Sequence, residues 1–292
     1  MREKCNIWLG TVTLVLMASA SGVIAAQGAQ SGQGSQSQPP AQQTDKSKTP
    51  EVTPLTLDAA APVSAEEDAA YKAFFAVLPN DAPKKIELGE DFLKKYPESR
   101  YKSPVYGALT YSYLQVGNTQ KMQEIGEKEI ALAPNDVSTL ALLAQTLPRG
   151  IHGSASSAEN MQTLAKAEQY SKQAIEIAPT LPKPDGMTDE SFTSAKNQAL
   201  AMAHSGLGLV YVRRGKNAEA ISELEQAIKV DPNPDPVNLY LLGMANKATS
   251  HFDDAVAAFN KCVAMAGPMQ GTCKAQADEA KKLGATELSA PK

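Results

Sequence analysis

The sequence predicts an all-α protein built as a row of antiparallel helix pairs, about five of them, closed by a capping helix. Three observations carry this. Ala, Leu, Lys and Glu abound beyond the first residues, while aromatics make up only 5% of the chain and the one tryptophan is Trp8. Unbranched side chains of that kind lose little freedom in a helix. A pattern of large, small and turn residues then recurs with a period of about 34 residues. Within it, small residues stand where two helices must approach closely, and Gly or Pro stands where each helix must stop.

At the N-terminus, Arg2 and Lys4 precede an uncharged run from Asn6 to Ala26, with small residues at Ala18-Ser19-Ala20 and at Ala25-Ala26. A basic start, an apolar run and a small-residue exit predict an export signal over 1–26, and so a periplasmic or secreted chain. The alternative is an uncleaved membrane anchor, since spanning a bilayer takes about 20 apolar residues. Cys5 lies ahead of the run, which does not support a lipid anchor at its end. Residues 27–64 are rich in Gln, Ser, Gly and Pro and almost lack large apolar side chains. They predict a disordered low-complexity linker, because such a stretch cannot bury enough surface to offset its ordering entropy.

The repeat domain is expected over 65–283. A degenerate first unit, 66–100, has Tyr71 to Leu78 as one helix and a second ending near Pro97. The second, 103–136, carries Tyr106, Leu109, Tyr113, Gly117 and Pro134; the third, 137–181, carries Leu140, Leu143, Ala144, Ala167, Tyr170, Ala174 and Pro179. The fourth unit, 201–234, is the clearest, with Leu207-Gly208, Tyr211, Gly215, Ala220, Ala227 and Pro232. The fifth, 236–269, carries Leu239, Leu242-Gly243, Phe252, Ala255 and Phe259. An amphipathic cap is expected over 270–283, since a terminal unit needs a polar outer face, followed by a flexible tail over 284–292. Two insertions break the period: PRGIHGSASSAEN inside the third unit and a stretch from Pro182 to Leu200 before the fourth. Thr188 with Asp189 and Glu190 behind it reads as a helix N-cap, so a long first helix is expected from Asp189 to about Arg214. The insertions are either tolerated surface loops or walls at one end of a groove.

This residue pattern resembles the tetratricopeptide-repeat superfamily, a right-handed solenoid of antiparallel helix pairs, over nearly all of 66–283. Only the first aromatic place of the fourth unit differs, being filled by His204, which is expected to pack there. The YPESRY segment is also similar to repeats of bacterial envelope-assembly lipoproteins, whose lipid-attachment cysteine this sequence lacks. The resemblance implies a partner segment held on the concave surface by places along each first helix. In this sequence those places are Tyr111, Leu114 and Gln115; Ala141, Gln145 and Arg149; Met202, Ser205, Leu209, Val212 and Arg213; and Tyr240, Met244 and Lys247. The Lys and Asn set with which some relatives clamp a terminal carboxylate is missing from them. An apolar strip edged by Arg149, Arg213 and Lys247 suggests an apolar segment with some negative charge.

Motifs for chemistry are not found. The sequence has no Gly-x-x-x-x-Gly-Lys-Ser/Thr phosphate loop, no His-Glu-x-x-His or Cys-x-x-Cys pair for zinc, and no Gly-x-Ser-x-Gly elbow. No enzyme activity, cofactor or metal is expected. A net charge of −4 without a basic stripe argues against a nucleic-acid partner, and no stable membrane insertion is expected once the signal is removed. The expected function is a non-catalytic protein or peptide scaffold of the cell envelope or secreted space. The other reading is an accessory of an envelope assembly or transport system that binds a small ligand or glycan through the insertions. Cys262 and Cys273 flank Gly267-Pro268 at nearly equal distances and are the only cysteines beyond Cys5. In an exported helix hairpin they are expected to form a disulfide.

Overall fold

The computed structural model describes residues 63–289 of the chain, with side chains as far as 286. The export signal and nearly all of the low-complexity linker lie outside the described residues. Helices α1 (Ala65–Ala76) and α2 (Ala82–Lys95) form the first pair, and α3 (Lys102–Gln115) and α4 (Thr119–Leu132) the second. The third is α5 (Val137–Thr146) and α6 (Ala158–Ile177), the fourth α7 (Asp189–Arg213) and α8 (Asn217–Val230). Helices α9 (Pro236–Ala248) and α10 (Phe252–Val263) make the fifth pair, and α11 (Gln270–Ser289) ends the row. No strand occurs among the described residues.

Local chemistry sets most of the starts. The side chains of Ser64, Asp81, Asn118, Asp136, Ser157, Thr188 and Asp235 each accept a backbone N–H of the helix they precede, satisfying a donor that the helix itself leaves unbonded. Thr188 takes the Ser191 amide at 3.1 Å, and α7 starts at Asp189. The turns inside three units share one geometry. The amides of Asn118, Lys216 and His251 reach back to the carbonyls of Tyr113, Tyr211 and Asn246, each at 2.9 Å. That turn needs a left-handed residue just before the returning amide. Gly117 and Gly215 supply it with φ of 72°, and Ser250 supplies it with φ of 61°.

Packing follows a two-layer order. Each second helix lies on its own first helix and on the first helix of the next unit, while α3 meets α5, α5 meets α7, and α7 meets α9. The first helices from α3 to α9 therefore make one continuous layer. Inside the fourth and fifth units the helices touch where the pattern has glycine: a Cβ on Gly208 would come 2.7 Å from Leu224, and one on Gly243 would come 2.5 Å from Phe259. Ala220, Leu224 and Ala227 are fully buried on the facing side. The result is an all-α repeat solenoid.

The C-terminal boundary departs from the expected one. Helix α11 runs on to Ser289, through the region expected to be a flexible tail. Gly284, which resembles a helix stop in the sequence, lies inside the helix because it faces α10: a Cβ there would stand 3.2 Å from Cβ of Phe252. Its small size serves packing, and it does not break the helix.

Candidate functional site

The layer of first helices carries almost every residue expected to line the partner-binding face. Tyr111 and Gln115 are on α3, Gln145 on α5, Met202, Leu209 and Arg213 on α7, and Tyr240, Met244 and Lys247 on α9. Arg149 is the exception. Pro148 has no amide to continue α5 and ends it, so Arg149 falls on the 3-10 turn Leu147–Gly150.

From that turn the Arg149 Nη2 donates to Asp235 Oδ2 at 2.8 Å and to Ser205 Oγ at 3.4 Å. Asp235 serves two ends at once, since its Oδ1 caps α9 by accepting the Val237 amide at 2.9 Å. Ser205 in turn donates to Asn238 Oδ1 at 2.6 Å. This Arg149–Ser205–Asn238–Asp235 network ties the first insertion to α7 and α9, with Ser205 and Asn238 buried. Its members were not legible as a group: the Asp235-Pro236 pair signals a cap, but nothing in sequence spacing aims Arg149 at it.

The side chains along the face fall into three kinds. Gln115 is exposed, and Tyr111, Gln145, Met202, Arg213, Tyr240 and Met244 are half-buried. The Tyr111 hydroxyl donates to the Ser138 carbonyl at 3.4 Å, and burial, with the Asp136 charge adding to it, pushes that phenol's pKa well up. Leu209 is a correction: it is 8% exposed and belongs to a core cluster with Leu224 of α8 and Leu241 and Ala245 of α9. Stacking of α9 on α7 covers it.

Lys247 is a second correction. Its Nζ bonds Gln276 Oε1 at 2.5 Å and Glu279 Oε2 at 3.1 Å, both on α11. The expected positive rim is thus largely offset by Asp235 and Glu279, and of its three cations only Arg213 has no ion pair among the described residues. The Arg213 Nε is buried with no hydrogen-bond partner among the described residues. Tyr240 also does more than line the face, for its ring lies 6.0 Å from that of Phe259 and packs against residues of α10 and α11.

Two stretches of the chain, residues 201–234 and residues 238–267, each match a family model described as tetratricopeptide repeat. The first spans the latter half of α7 and all of α8, and the second covers nearly all of α9 and α10. Residues 201–234 and 238–267 are tetratricopeptide repeats. Among solved structures, it is similar to a thermophilic tetratricopeptide-repeat protein of Thermus thermophilus, with 19% identity over 74% of this chain and 99% of the other and a TM-score of 0.46. It is also similar to a tetratricopeptide repeat protein of Parabacteroides merdae, with 12% identity over 75% and 100% of the two chains and a TM-score of 0.30. No curated protein matches the chain.

Tetratricopeptide-repeat proteins are in general interaction scaffolds without catalytic activity. In this chain, His204 fills the aromatic place of the fourth repeat and bonds Glu223 Oε2 of α8 through Nδ1 at 2.7 Å, adding a polar link to the packing expected there. The insertion of the third repeat is a folded loop: Ile151 is buried, and Asn160 Nδ2 donates to the carbonyls of His152 at 3.2 Å and Ser154 at 2.8 Å. Cys262 and Cys273, both fully buried, form a disulfide between α10 and α11. Among the described residues no group of His, Cys, Asp and Glu is placed to hold a metal ion, and no helix is long and apolar enough to cross a membrane.

Proposed function

We propose that the protein is a non-catalytic scaffold that holds an extended or helical segment of a partner protein along the layer of first helices. The observation that carries this reading is the row of half-buried Tyr111, Gln145, Met202, Tyr240 and Met244 running over α3, α5, α7 and α9. Adaptable thioethers and amphipathic phenols are suited to a peptide with several apolar contacts. With Arg149 and Lys247 already paired, the preferred segment is mainly apolar, with a single acidic group opposite Arg213.

A partner captured from envelope extract is to be measured against Tyr111→Ala, Arg213→Ala and Met244→Ala. Each is expected to weaken binding, Tyr111→Ala by more than about 1 kcal/mol. Because Tyr240 also packs against α10 and α11, Tyr240→Phe replaces a truncation there, so that a loss of affinity is not a loss of fold. Unchanged affinity for all four variants moves the binding site off this face.

The setting we propose is outside the cytoplasm, on the strength of Arg2, Lys4 and the apolar run that follows. N-terminal sequencing of the protein from its own host is expected to find a mature chain starting between Ser21 and Gln27. Met1 retained in a membrane fraction replaces that with an anchored form.

A further inference from the structure

Glu129, in the last turn of α4, is only 3% exposed, an unusual place for a carboxylate. One of its oxygens accepts the Ser103 hydroxyl of α3 at 2.8 Å, while the other is buried and has no hydrogen-bond partner among the described residues. Among the described residues no ammonium compensates it. Lys128, beside it on α4, is bonded to Glu124 at 2.7 Å, and Lys166, from α6, is bonded to Glu127 at 2.7 Å. The charged group facing Glu129 from the α5 side is Asp136, a like charge held in place because it caps α5 through the Thr139 amide at 2.7 Å. Thr139, in the first turn of α5, repeats the situation: its hydroxyl oxygen is buried without a partner among the described residues. Three helices of two successive repeats therefore meet around an under-bonded acid.

An acid so enclosed is comfortable only with its proton on. As a neutral carboxyl it avoids the cost of an uncompensated buried charge; as a carboxylate it must draw in water or part from its neighbours. We infer that the junction of α3, α4 and α5 is a proton-operated joint: closed while Glu129 is protonated, and loosened at the end of α4 and the start of α5 when Glu129 ionises. Burial, assisted by Asp136 and opposed by the Ser103 hydrogen bond, raises the Glu129 pKa from the usual 4.5 to about 7. The closed joint thus binds a proton that the opened one has released. Raising the pH through that window favours opening, and the effect levels off above it. The inference is independent of what binds the layer of first helices.

Amide hydrogen exchange of the 63–289 helices in the full chain, corrected for intrinsic rates, tests it between pH 5 and pH 8. Amides at the end of α4 and the start of α5 are expected to open more readily as pH rises, by on the order of a hundredfold, with α8 and α10 unchanged. Glu129→Gln is expected to abolish the dependence. Ser103→Ala removes the bond that favours the charged form and shifts the midpoint upward, while Asp136→Asn keeps a cap and shifts it downward. An equal pH response in wild type and Glu129→Gln overturns the inference, as does a flat response in wild type. Should Glu129→Gln fail to fold, carbon-13 titration of the Glu129 carboxyl in the wild-type chain decides: a midpoint near 7 supports the joint, and one near 4.5 overturns it.

Discussion

Ser250 holds the left-handed place that glycine fills in the second and fourth repeats, with φ of 61° and an exposed side chain. A Cβ in that conformation crowds the following carbonyl, at a cost of about 1 kcal/mol or more. Ser250→Gly is therefore expected to stabilise the protein by about 0.5–1 kcal/mol, set against glycine's greater freedom in the unfolded chain. Urea denaturation reads it, and a lower midpoint for the glycine variant contradicts the assignment. At this scale the sequence was legible where residue size alone decides: Ala220, Ala227 and Cys262 fill small places and are fully buried. It was less legible where a long side chain chooses a partner. Arg149 and Lys247 were read as a charged rim because their carboxylate partners lie far along the chain, on Asp235 and Glu279.

Within the repeats, helix starts are short-range events and could be read, as Thr188 before α7 illustrates. The end of α11 could not, because Gly284 is ambiguous until Phe252 is seen beside it. Register is tested by overpacking. Ala220→Leu or Ala227→Leu is expected to cost about 1–3 kcal/mol, whereas exposed Lys229→Ala is expected to stay within about 0.5 kcal/mol; equal melting temperatures for the three variants rule the register out. Helix α11 itself packs on α10 largely through alanines, with Ala277 and Ala280 buried. Such small side chains bury little apolar area, so the Cys262–Cys273 bridge and the Lys247 contacts matter for its docking. Cys262→Ser with Cys273→Ser is expected to lower stability by about 2–4 kcal/mol, with exchange rising first in α11. Uniform exchange along the whole solenoid contradicts a local role for the bridge.

At the scale of the whole molecule, α5 and α7 bring two successive repeats into a close backbone approach. A Cβ on Gly206 would come 2.3 Å from the Ala144 carbonyl oxygen, a backbone atom that no rotamer change can move. Gly206→Ala is expected to cost about 3 kcal/mol, or to shift the two helices apart; a variant with an unchanged melting temperature and unchanged exchange in α5 excludes such intimate contact. The Arg149–Asp235 pair and the Ser205–Asn238 pair reinforce the same region from the next repeat. Tandem arrays lengthen and shorten by duplicating or losing whole repeats, because each repeat touches only its neighbours. Here that freedom is uneven. A duplicated copy slipped between the third and fourth repeats would need its own glycine opposite Ala144 and would part Arg149 from Asp235. The middle of this array is therefore a fixed word, resistant to the gain or loss of a single repeat.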